Sequence, residues 1–274
     1  MERTRRTVGG LVAVLIAATV LLCACSQRSG GSGGSSGPVD IFDTAIESPY
    51  DWGNLVWDGY GRVDYVADGQ VRSRIGIDVS EHNGPIDWEA VADDGISFVY
   101  VRAAWRGSTE GGLYEDEHFE DYLTGAQEAG LDVGLYVYSQ AMNADEGREE
   151  AEFVLGLLDG RHLELPIAFD HETTADYTGR SDNITSDACT AAARAFCDAI
   201  EEAGYRAVIY GNSYEFARMD ILSFQRQGYW LAEYDDEPSV PLYLYVWQYS
   251  NQGSVAGIDS PVDMNIELVN ALDE

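Results

Sequence analysis

From residue 75 onward, short β-type segments alternate with segments of helical periodicity, and this alternation constrains the fold more than any other feature of the chain. The four helical segments, 87–95, 115–130, 143–160 and 185–204, each end on a glycine, the residue typical of a helix C-terminus. The β-type segments are IGIDVS, SFVYVRAAW, LDVGLYVYS, LPIAFDHE, RAVIYGN, GYWLAEYD, YLYVWQYS and VDMNIEL. Strands that alternate with helices predict a parallel sheet covered by helices.

The last three strand segments follow one another with little or no helix between them. We therefore expect an α/β fold over residues 75–274, an irregular (β/α) TIM-like barrel with eight strands and an incomplete ring of about five helices. A doubly wound open sheet is the alternative. That fold would place a glycine-rich phosphate loop after the first strand, where this chain has DVSEHNG instead.

The first 25 residues differ in composition from the rest of the chain. Basic MERTRR precedes the apolar run LVAVLIAATVLL, a pattern typical of a secretory signal peptide. Its end, LCAC, resembles the lipobox of bacterial lipoproteins, which implies that Cys25 is the lipidated first residue of the mature protein. We expect export to the outer face of the bacterial cell membrane, through the lipid anchor, or secretion to the cell wall. An uncleaved anchor is the alternative.

Two segments separate this signal from the barrel. Residues 26–38 are rich in glycine and serine and predict a flexible tether. Residues 39–74 form an aromatic, acidic extension in which Asp68-Gly69 lies between two alternating runs, a pattern that predicts a β-hairpin with a two-residue turn.

Charge and cysteine spacing exclude several classes of function. The chain has 16 basic residues, all of them arginine, against 48 acidic ones, so it lacks the basic surface that a nucleic-acid partner requires. Cys189 and Cys197 lie in one helical segment, where a separation of eight residues is about 12 Å, too far for a disulfide. The histidines and cysteines show no zinc-ligand spacing, and we expect neither a metal nor a cofactor.

Polar residues gather at the ends of the predicted strands, which in a parallel barrel meet at one mouth. They are Asp78, Arg102, Tyr138, Asp170, Glu172, Tyr210, Glu233, Tyr234, Gln248 and Asp263. Glycoside hydrolysis needs a protonated carboxyl group to donate to the leaving oxygen and an ionised one to support the developing cation. Repulsion from neighbouring aspartates would keep Glu172 protonated, which favours it as the general acid. A calcium or magnesium site is the competing use of such carboxylates.

Several blocks of the chain resemble glycoside hydrolase family 25, the lysozymes that act as N-acetylmuramidases. In order, from about residue 75 to 268, they are GIDVSEHNGPIDWEAV, FVYVRAA, AQEAGLDVGLYVYSQAMNADEGREEAEFVL, LPIAFDHETT, YGNSYEF, YWLAEYD and VWQYSNQGSVAGIDSPVDMNI. The resemblance implies a barrel with fewer than eight helices. It also implies that the Asp-x-Glu pair, Asp170 and Glu172, supplies the acid, with Asp78 and Asp263 as further catalytic residues.

The same resemblance implies an aromatic cleft for substrate. The residues on matching blocks are Tyr138, Tyr210, Trp230, Tyr234 and Trp247, with Arg102 at a position that varies among basic residues. His171 departs from the family pattern, because that position is usually apolar; strand alternation turns it away from Glu172 toward the helical layer.

The resemblance implies a monomeric hydrolase that cleaves the β-1,4 bond between N-acetylmuramic acid and N-acetylglucosamine in peptidoglycan, with retention of configuration. An aspartate or the acetamido group of the substrate could attack the anomeric carbon, and the resemblance favours the acetamido group. Alternatives are an inactive peptidoglycan-binding surface lipoprotein, a chitinase-like glycosidase on the same scaffold, and a solute-binding lipoprotein, whose two lobes the single strand-and-helix pattern does not show.

Overall fold

A computed structural model describes residues 48–175 and 177–268 of the chain. The predicted signal peptide with Cys25 and the glycine-serine tether lie outside the described residues. The strands are β1 Leu55–Trp57, β2 Val63–Ala67, β3 Gln70–Val71, β4 Ser73–Val79, β5 Phe98–Arg106, β6 Leu113–Glu115, β7 Asp132–Ser139, β8 Ile167–His171, β9 Ala207–Gly211, β10 Tyr229–Ala232, β11 Leu244–Gly253 and β12 Val262–Leu268. The α-helices are α1 Trp88–Asp93, α2 Phe119–Glu128, α3 Ala144–Leu158, α4 Ser186–Glu202 and α5 Ser213–Phe216.

Eight strands form a closed barrel in the order β4-β12-β11-β10-β9-β8-β7-β5, and β5 pairs with β4 to close it. The short strand β6 adds to the edge of β5. This closure confirms the predicted barrel and excludes the open doubly wound sheet. The outer ring holds five α-helices in the described residues, and α5 has only one turn.

Strand β12 departs from the expected parallel arrangement, since it pairs antiparallel with both β11 and β4. The chain between β11 and β12 is eight residues long and holds no helix. A parallel return needs a crossover of a dozen residues or more, so a connection this short sends the last strand back in the opposite direction.

Three of the four predicted helices begin where the sequence predicts, whereas α2 begins four residues later than predicted, because Glu115 belongs to β6. Side chains of Asp87, Asn143 and Thr185 accept hydrogen bonds from backbone N–H groups in the first turns of α1, α3 and α4. The four terminal glycines all have positive φ, the conformation that ends a helix most easily with glycine. Cys189 and Cys197 are buried on α4 and form no disulfide, as their spacing predicts.

The barrel interior holds a second apolar cluster, separate from the core between strands and helices. Its buried residues are Phe98, Tyr100, Leu165, Ala168, Val208, Trp230, Tyr245 and Val246. Gly76 and Gly134 leave room for the large rings: a Cβ on Gly76 would stand 2.4 Å from Phe98, and one on Gly134 would stand 2.5 Å from Tyr100. The aromatic cluster therefore fills the barrel up to the strand ends and forms a floor below the mouth.

The extension packs on the part of the barrel where no helix follows a strand. Strands β1, β2 and β3 form an antiparallel sheet, and Asp68-Gly69, both at positive φ, connect β2 to β3. The ring of Trp57 lies edge-on against Trp247 and Tyr249 of β11, at 6.1 Å and 5.5 Å between centroids. The extension thus covers the outer face of β11 in place of a helix.

None of the helices in the described residues is long and apolar enough to cross a membrane.

Candidate active site

A cavity of about 230 Å³ lies at the carboxyl ends of the parallel strands. The side chains that line it are Asp78, Ser80, His82, Arg102, Tyr136, Tyr138, Asp170, Glu172, Tyr210, Trp230 and Asp263. All four carboxylates singled out from the sequence therefore reach one space, from β4, from the end of β8 and from β12. The aromatic floor of the barrel closes this space from below.

A larger cavity, about 650 Å³, lies between the extension and the β11–β12 region. The charged groups on its wall include Arg62 and Asp94, which form an ion pair with each other at 2.5 Å. Charges that neutralise each other are poorly suited to acid–base catalysis. The smaller cavity, which four carboxyl groups line, is therefore the better candidate for an active site.

Asp78 and Asp263 stand opposite each other in the antiparallel register of β4 and β12, and their side chains are hydrogen-bonded. Burial raises the pKa of Asp78 to about 6, while hydrogen bonds from Asn265 and Gln248 act in the other direction. The pKa of Asp263 is raised to about 8 by burial and then by the charge of Asp78. At neutral pH the pair therefore holds one proton, which Asp263 carries and donates to Asp78.

Two amide side chains fix this protonation pattern. The Nε2 group of Gln248 and the Nδ2 group of Asn265 both donate to Asp78 Oδ2, each at 2.8 Å. Trp230 Nε1 donates to Asn265 Oδ1 at 2.8 Å, which orients that amide. Because two donors converge on one oxygen, the ionised form of Asp78 is stabilised.

Gln248 is oriented in turn by two tyrosines of the cleft. Its Oε1 accepts from Tyr210 Oη at 3.1 Å and from Tyr234 Oη at 2.8 Å. The amide nitrogen must then face Asp78. The hydroxyl groups of the cleft are thus linked to the carboxylate pair through a single buried glutamine.

Asp170 lies on β8, Glu172 directly follows the last residue of that strand, and both face the cavity. Asp170 is buried, and burial together with the charges of Glu172 and Asp78 raises its pKa well above the usual range. Its Oδ1 atom has no hydrogen-bond partner within the part of the chain that the structure describes. Burial raises the pKa of Glu172 to about 7, with the charges of Glu215 and Asp78 acting in the same direction. A glutamate in this state can donate a proton near neutral pH.

His171 points away from the cavity, as strand alternation predicts. Its ring stacks on Phe169, and its Nε2 atom lies 3.0 Å from the carbonyl oxygen of Ala141. Burial lowers the pKa of this imidazole, so it is neutral at pH 7. The histidine between the two carboxylates is part of the core.

Four of the five predicted aromatic residues lie at the cavity, in three different places. Tyr138 and Tyr210 line the cavity wall, and Tyr234 lies at the rim with about half of its side chain exposed. Trp230 lines the cavity from below and is only 1% exposed, so it belongs to the floor.

The prediction that Trp247 contacts substrate is wrong. This side chain is fully buried on the outer face of β11, packs against Trp57 of the extension, and donates from Nε1 to the carbonyl oxygen of Glu233 at 2.8 Å. The neighbouring Gln248 points into the barrel, and successive residues of a strand point to opposite faces.

Arg102 reaches the cavity wall but is largely committed to acidic partners. Its Nε donates to Asp116 Oδ2 at 2.8 Å. Its Nη2 lies 3.1 Å from Glu81 Oε1 without the alignment of a hydrogen bond. The guanidinium lowers the pKa of Asp170, against the larger effect of burial. Arg102 therefore offers one buried donor nitrogen to the site.

Sequence reasoning missed several residues of this site. Tyr136 and Asn265 share the strand parity of Tyr138 and Asp263, so alternation could have found them. Gln140 and Glu215 lie outside the strands and have no such signal. In the described residues, no group of three or more histidine, cysteine, aspartate or glutamate side chains is arranged to hold a metal ion.

Residues 77–258 match Glycosyl hydrolases family 25. The chain is similar to an autolytic lysozyme of Clostridium acetobutylicum, with 32% identity over 193 residues, 69% of this chain and 54% of that protein. It is also similar to lysozyme M1 of Streptomyces globisporus, with 27% identity over 205 residues, 69% of this chain and 66% of that protein. The chain thus spans about half the length of the first of these relatives.

Solved structures show the same fold at lower identity. A bacterial lysozyme from Streptomyces coelicolor superposes with a TM-score of 0.57 and 23% identity, over 70% of this chain and 90% of that one. A family 25 glycosyl hydrolase from Bacillus anthracis superposes with a TM-score of 0.61 and 21% identity, over 72% of this chain and 89% of that one. The modular autolysin LytC from Streptococcus pneumoniae, in complex with a synthetic peptidoglycan ligand, superposes with a TM-score of 0.62 and 21% identity. This match covers 77% of this chain and 56% of the LytC chain.

The family match ends at residue 258, before β12, so it does not include Asp263. It does include Asp78, Asp170 and Glu172. Since the match covers more than half of the 274 residues, the protein belongs to family 25 of the glycosyl hydrolases.

Proposed function

We propose that the protein is a muramidase that hydrolyses the β-1,4 bond between N-acetylmuramic acid and N-acetylglucosamine in peptidoglycan, with Glu172 as the general acid. The observation that carries this proposal is the state of Glu172: a cavity-facing carboxyl group whose pKa is raised to about 7, so that it keeps a proton near neutral pH. The names of two relatives, an autolytic lysozyme and lysozyme M1, support the choice of substrate.

In the first step Glu172 gives its proton to the glycosidic oxygen as the bond to the anomeric carbon breaks. The carbonyl oxygen of the substrate's acetamido group attacks that carbon from the opposite face and forms a cyclic oxazolinium ion. Asp170 supports this attack, because its carboxyl group lines the cavity and can accept the acetamido N–H. In the second step the Glu172 carboxylate removes a proton from water, which opens the ring and leaves the product with retained configuration.

Direct attack by an aspartate is the other route to retention. Asp263 is protonated beside Asp78 at neutral pH and is a poor nucleophile in that state. This observation favours the acetamido route, with the Asp78–Asp263 pair shaping the charge around the reaction centre.

Product analysis tests the proposal. The purified protein is incubated with peptidoglycan, and mass spectrometry identifies the sugar at each new reducing end. We expect N-acetylmuramic acid for the wild type, a rate about 100-fold to 10,000-fold lower for Glu172→Gln, and no change for Glu202→Gln, whose side chain is 67% exposed on α4. New N-acetylglucosamine ends would indicate a chitinase-like specificity. No new ends with the wild type, or equal rates for the Glu172 variant, would refute the proposed mechanism.

We also propose that the protein is exported and anchored through a lipid on Cys25, and that it acts as a monomer on the glycan strands of the wall. The basic and apolar runs before the LCAC segment support the anchor. The intact mass of the mature protein tests lipidation, and sedimentation in detergent tests the monomer. An unmodified N-terminus other than Cys25 would exclude the anchor.

A further inference from the structure

We propose that Glu215 is a positioning residue for the catalytic acid: it fixes the chain directly after Glu172 and places a carboxyl group paired with Arg218 behind it. The inference rests on the proposed function of Glu172. Glu215 belongs to α5, the one-turn helix after β9, and its side chain is almost fully buried. It does not line the cavity, so it acts on the reaction through neighbouring groups: its charge raises the pKa of Glu172 and, to a smaller extent, that of Asp170.

The first oxygen of Glu215 holds the residue that follows the acid. Its Oε1 accepts from the backbone N–H of Thr173 at 3.1 Å and from the Thr173 hydroxyl group at 2.8 Å. On the other side, Gln140 Nε2 donates to the carbonyl oxygen of Glu172 at 2.7 Å. The backbone of the acid is thus held on both sides by buried side chains, although β8 itself has already ended at His171.

The second oxygen of Glu215 is paired with an arginine. Arg218 Nη1 donates to Oε2 at 2.5 Å. Another nitrogen of the same guanidinium donates to the carbonyl oxygen of Ser181 at 2.8 Å, and Nη1 also lies 3.4 Å from His171 Nδ1. The Arg218 guanidinium therefore contacts Glu215, the backbone of Ser181 and the buried ring of His171.

After burial, the charge of Glu215 is the largest influence that raises the pKa of Glu172, ahead of Asp78. The other charged or titratable groups around the acid are Asp78 on β4, His82 after β4, Arg102 on β5, Tyr136 and Tyr138 on β7, Asp170 on β8, Tyr210 on β9, Tyr234 after β10 and Asp263 on β12. Among these carboxyl groups, Asp170 and Asp263 have strongly raised pKa values, whereas Glu215 is paired with an arginine.

The test is the pH profile of peptidoglycan hydrolysis by Glu215→Gln. Glutamine keeps an acceptor for Thr173 but removes the charge, so Glu172 should lose its proton at lower pH. We expect the alkaline limb of kcat/KM to move down by about one pH unit. The rate at pH 8 should then fall about tenfold, whereas the rate at pH 5 should stay within about twofold of the wild type.

Two further variants separate charge from structure. Thr173→Val removes the hydroxyl bond and leaves the Glu215 charge, so it should lower kcat without moving the pH profile. Glu215→Gln combined with Arg218→Met removes both charges and leaves no guanidinium unpaired; it should show an alkaline shift in the same direction as Glu215→Gln alone, but smaller, because the loss of the positive charge offsets part of the effect. The double variant keeps the test valid if the single variant does not fold.

The outcomes are distinct. If both the single and the double variant are active with the wild-type pH profile, Glu215 has only a structural role and the inference fails. If the wild type releases no muramic acid ends, the proposed function itself fails. Glu202→Gln, a carboxylate on the exposed side of α4, serves as the control and should reproduce the wild-type profile.

Discussion

Asp263→Asn should make the protein more stable at high pH than the wild type. In the folded protein, burial and the charge of Asp78 raise the pKa of Asp263 from 3.8 to about 8. In the unfolded chain the group ionises freely above its ordinary pKa. Between these two values the folded state holds a proton that the unfolded state has released, so the stability of the wild type falls as pH rises from about 4 to about 8.

The magnitude follows from the size of the shift. Each pKa unit corresponds to about 1.4 kcal/mol, so the full shift of about four units would correspond to about 6 kcal/mol. Asp263 is partly exposed and shares its proton with Asp78, which reduces the effect; we take about half, or about 3 kcal/mol. Asparagine does not ionise, and its amide N–H can donate to Asp78 as the protonated acid does.

Urea unfolding at pH 4.5, 7 and 8.5, followed by circular dichroism, measures this effect. The stability of Asp263→Asn relative to wild type should rise by about 3 kcal/mol across this range, equivalent to about 6 to 12 °C in melting temperature. Asp182→Asn is the contrasting case: its stability relative to wild type should hardly change across this range, because the ordinary pKa of aspartate lies below pH 4.5. Burial acts to raise the pKa of Asp182, but hydrogen bonds from Thr174 and Gly179 outweigh it and lower that pKa, so this variant should be less stable than wild type at each of these pH values. A difference for Asp263→Asn that does not change with pH would refute the reasoning.

Three other substitutions test the packing around the site. Gln248→Leu removes one donor to an active-site carboxylate and the acceptor of two tyrosine hydroxyls, so urea unfolding at pH 7 should show a loss of about 3 kcal/mol. Gly147→Ala would place a Cβ 2.2 Å from the backbone of α4 and should lower the melting temperature, whereas Gly156→Ala on the same helix meets nothing within 4 Å and should preserve or raise it. Trp57→Ala should lower the melting temperature by calorimetry, because the ring packs on β11; Tyr60→Ala, at a side chain that is 92% exposed, should not.

The pattern of strands and helices carries most of the information about the barrel, because burial on both faces of parallel strands leaves long apolar runs in the sequence. The same argument places the carboxylates Asp78, Asp170 and Glu172 at one mouth. It does not reveal the direction of β12, because the strand pattern itself carries no direction; only the short connection before β12, which is too short for a parallel return, indicates it. That direction sets Asp263 opposite Asp78 and creates the shared proton.

The site residues divide according to whether strand parity applies to them. The alternation of side chains along a strand correctly predicts that His171 points away from the cavity. The same alternation would have excluded Trp247 from the substrate-binding residues, because its neighbour Gln248 faces inward. Glu215 and Gln140 follow the ends of their strands, so their contacts with the chain around Glu172 depend on how loops from distant parts of the sequence meet. No local pattern encodes such a contact.

The position of β12 also limits how the domain can be divided. This strand lies beyond the family match and is the piece that joins β11 to β4. A recombinant segment that ended at residue 258 would leave both of those strands with unpaired backbone N–H and C=O groups, and open edges of this kind template aggregation. The last strand of the barrel is therefore a solubility element as well as a source of a catalytic-site carboxyl group, and a shortened chain should extend at least through Leu268.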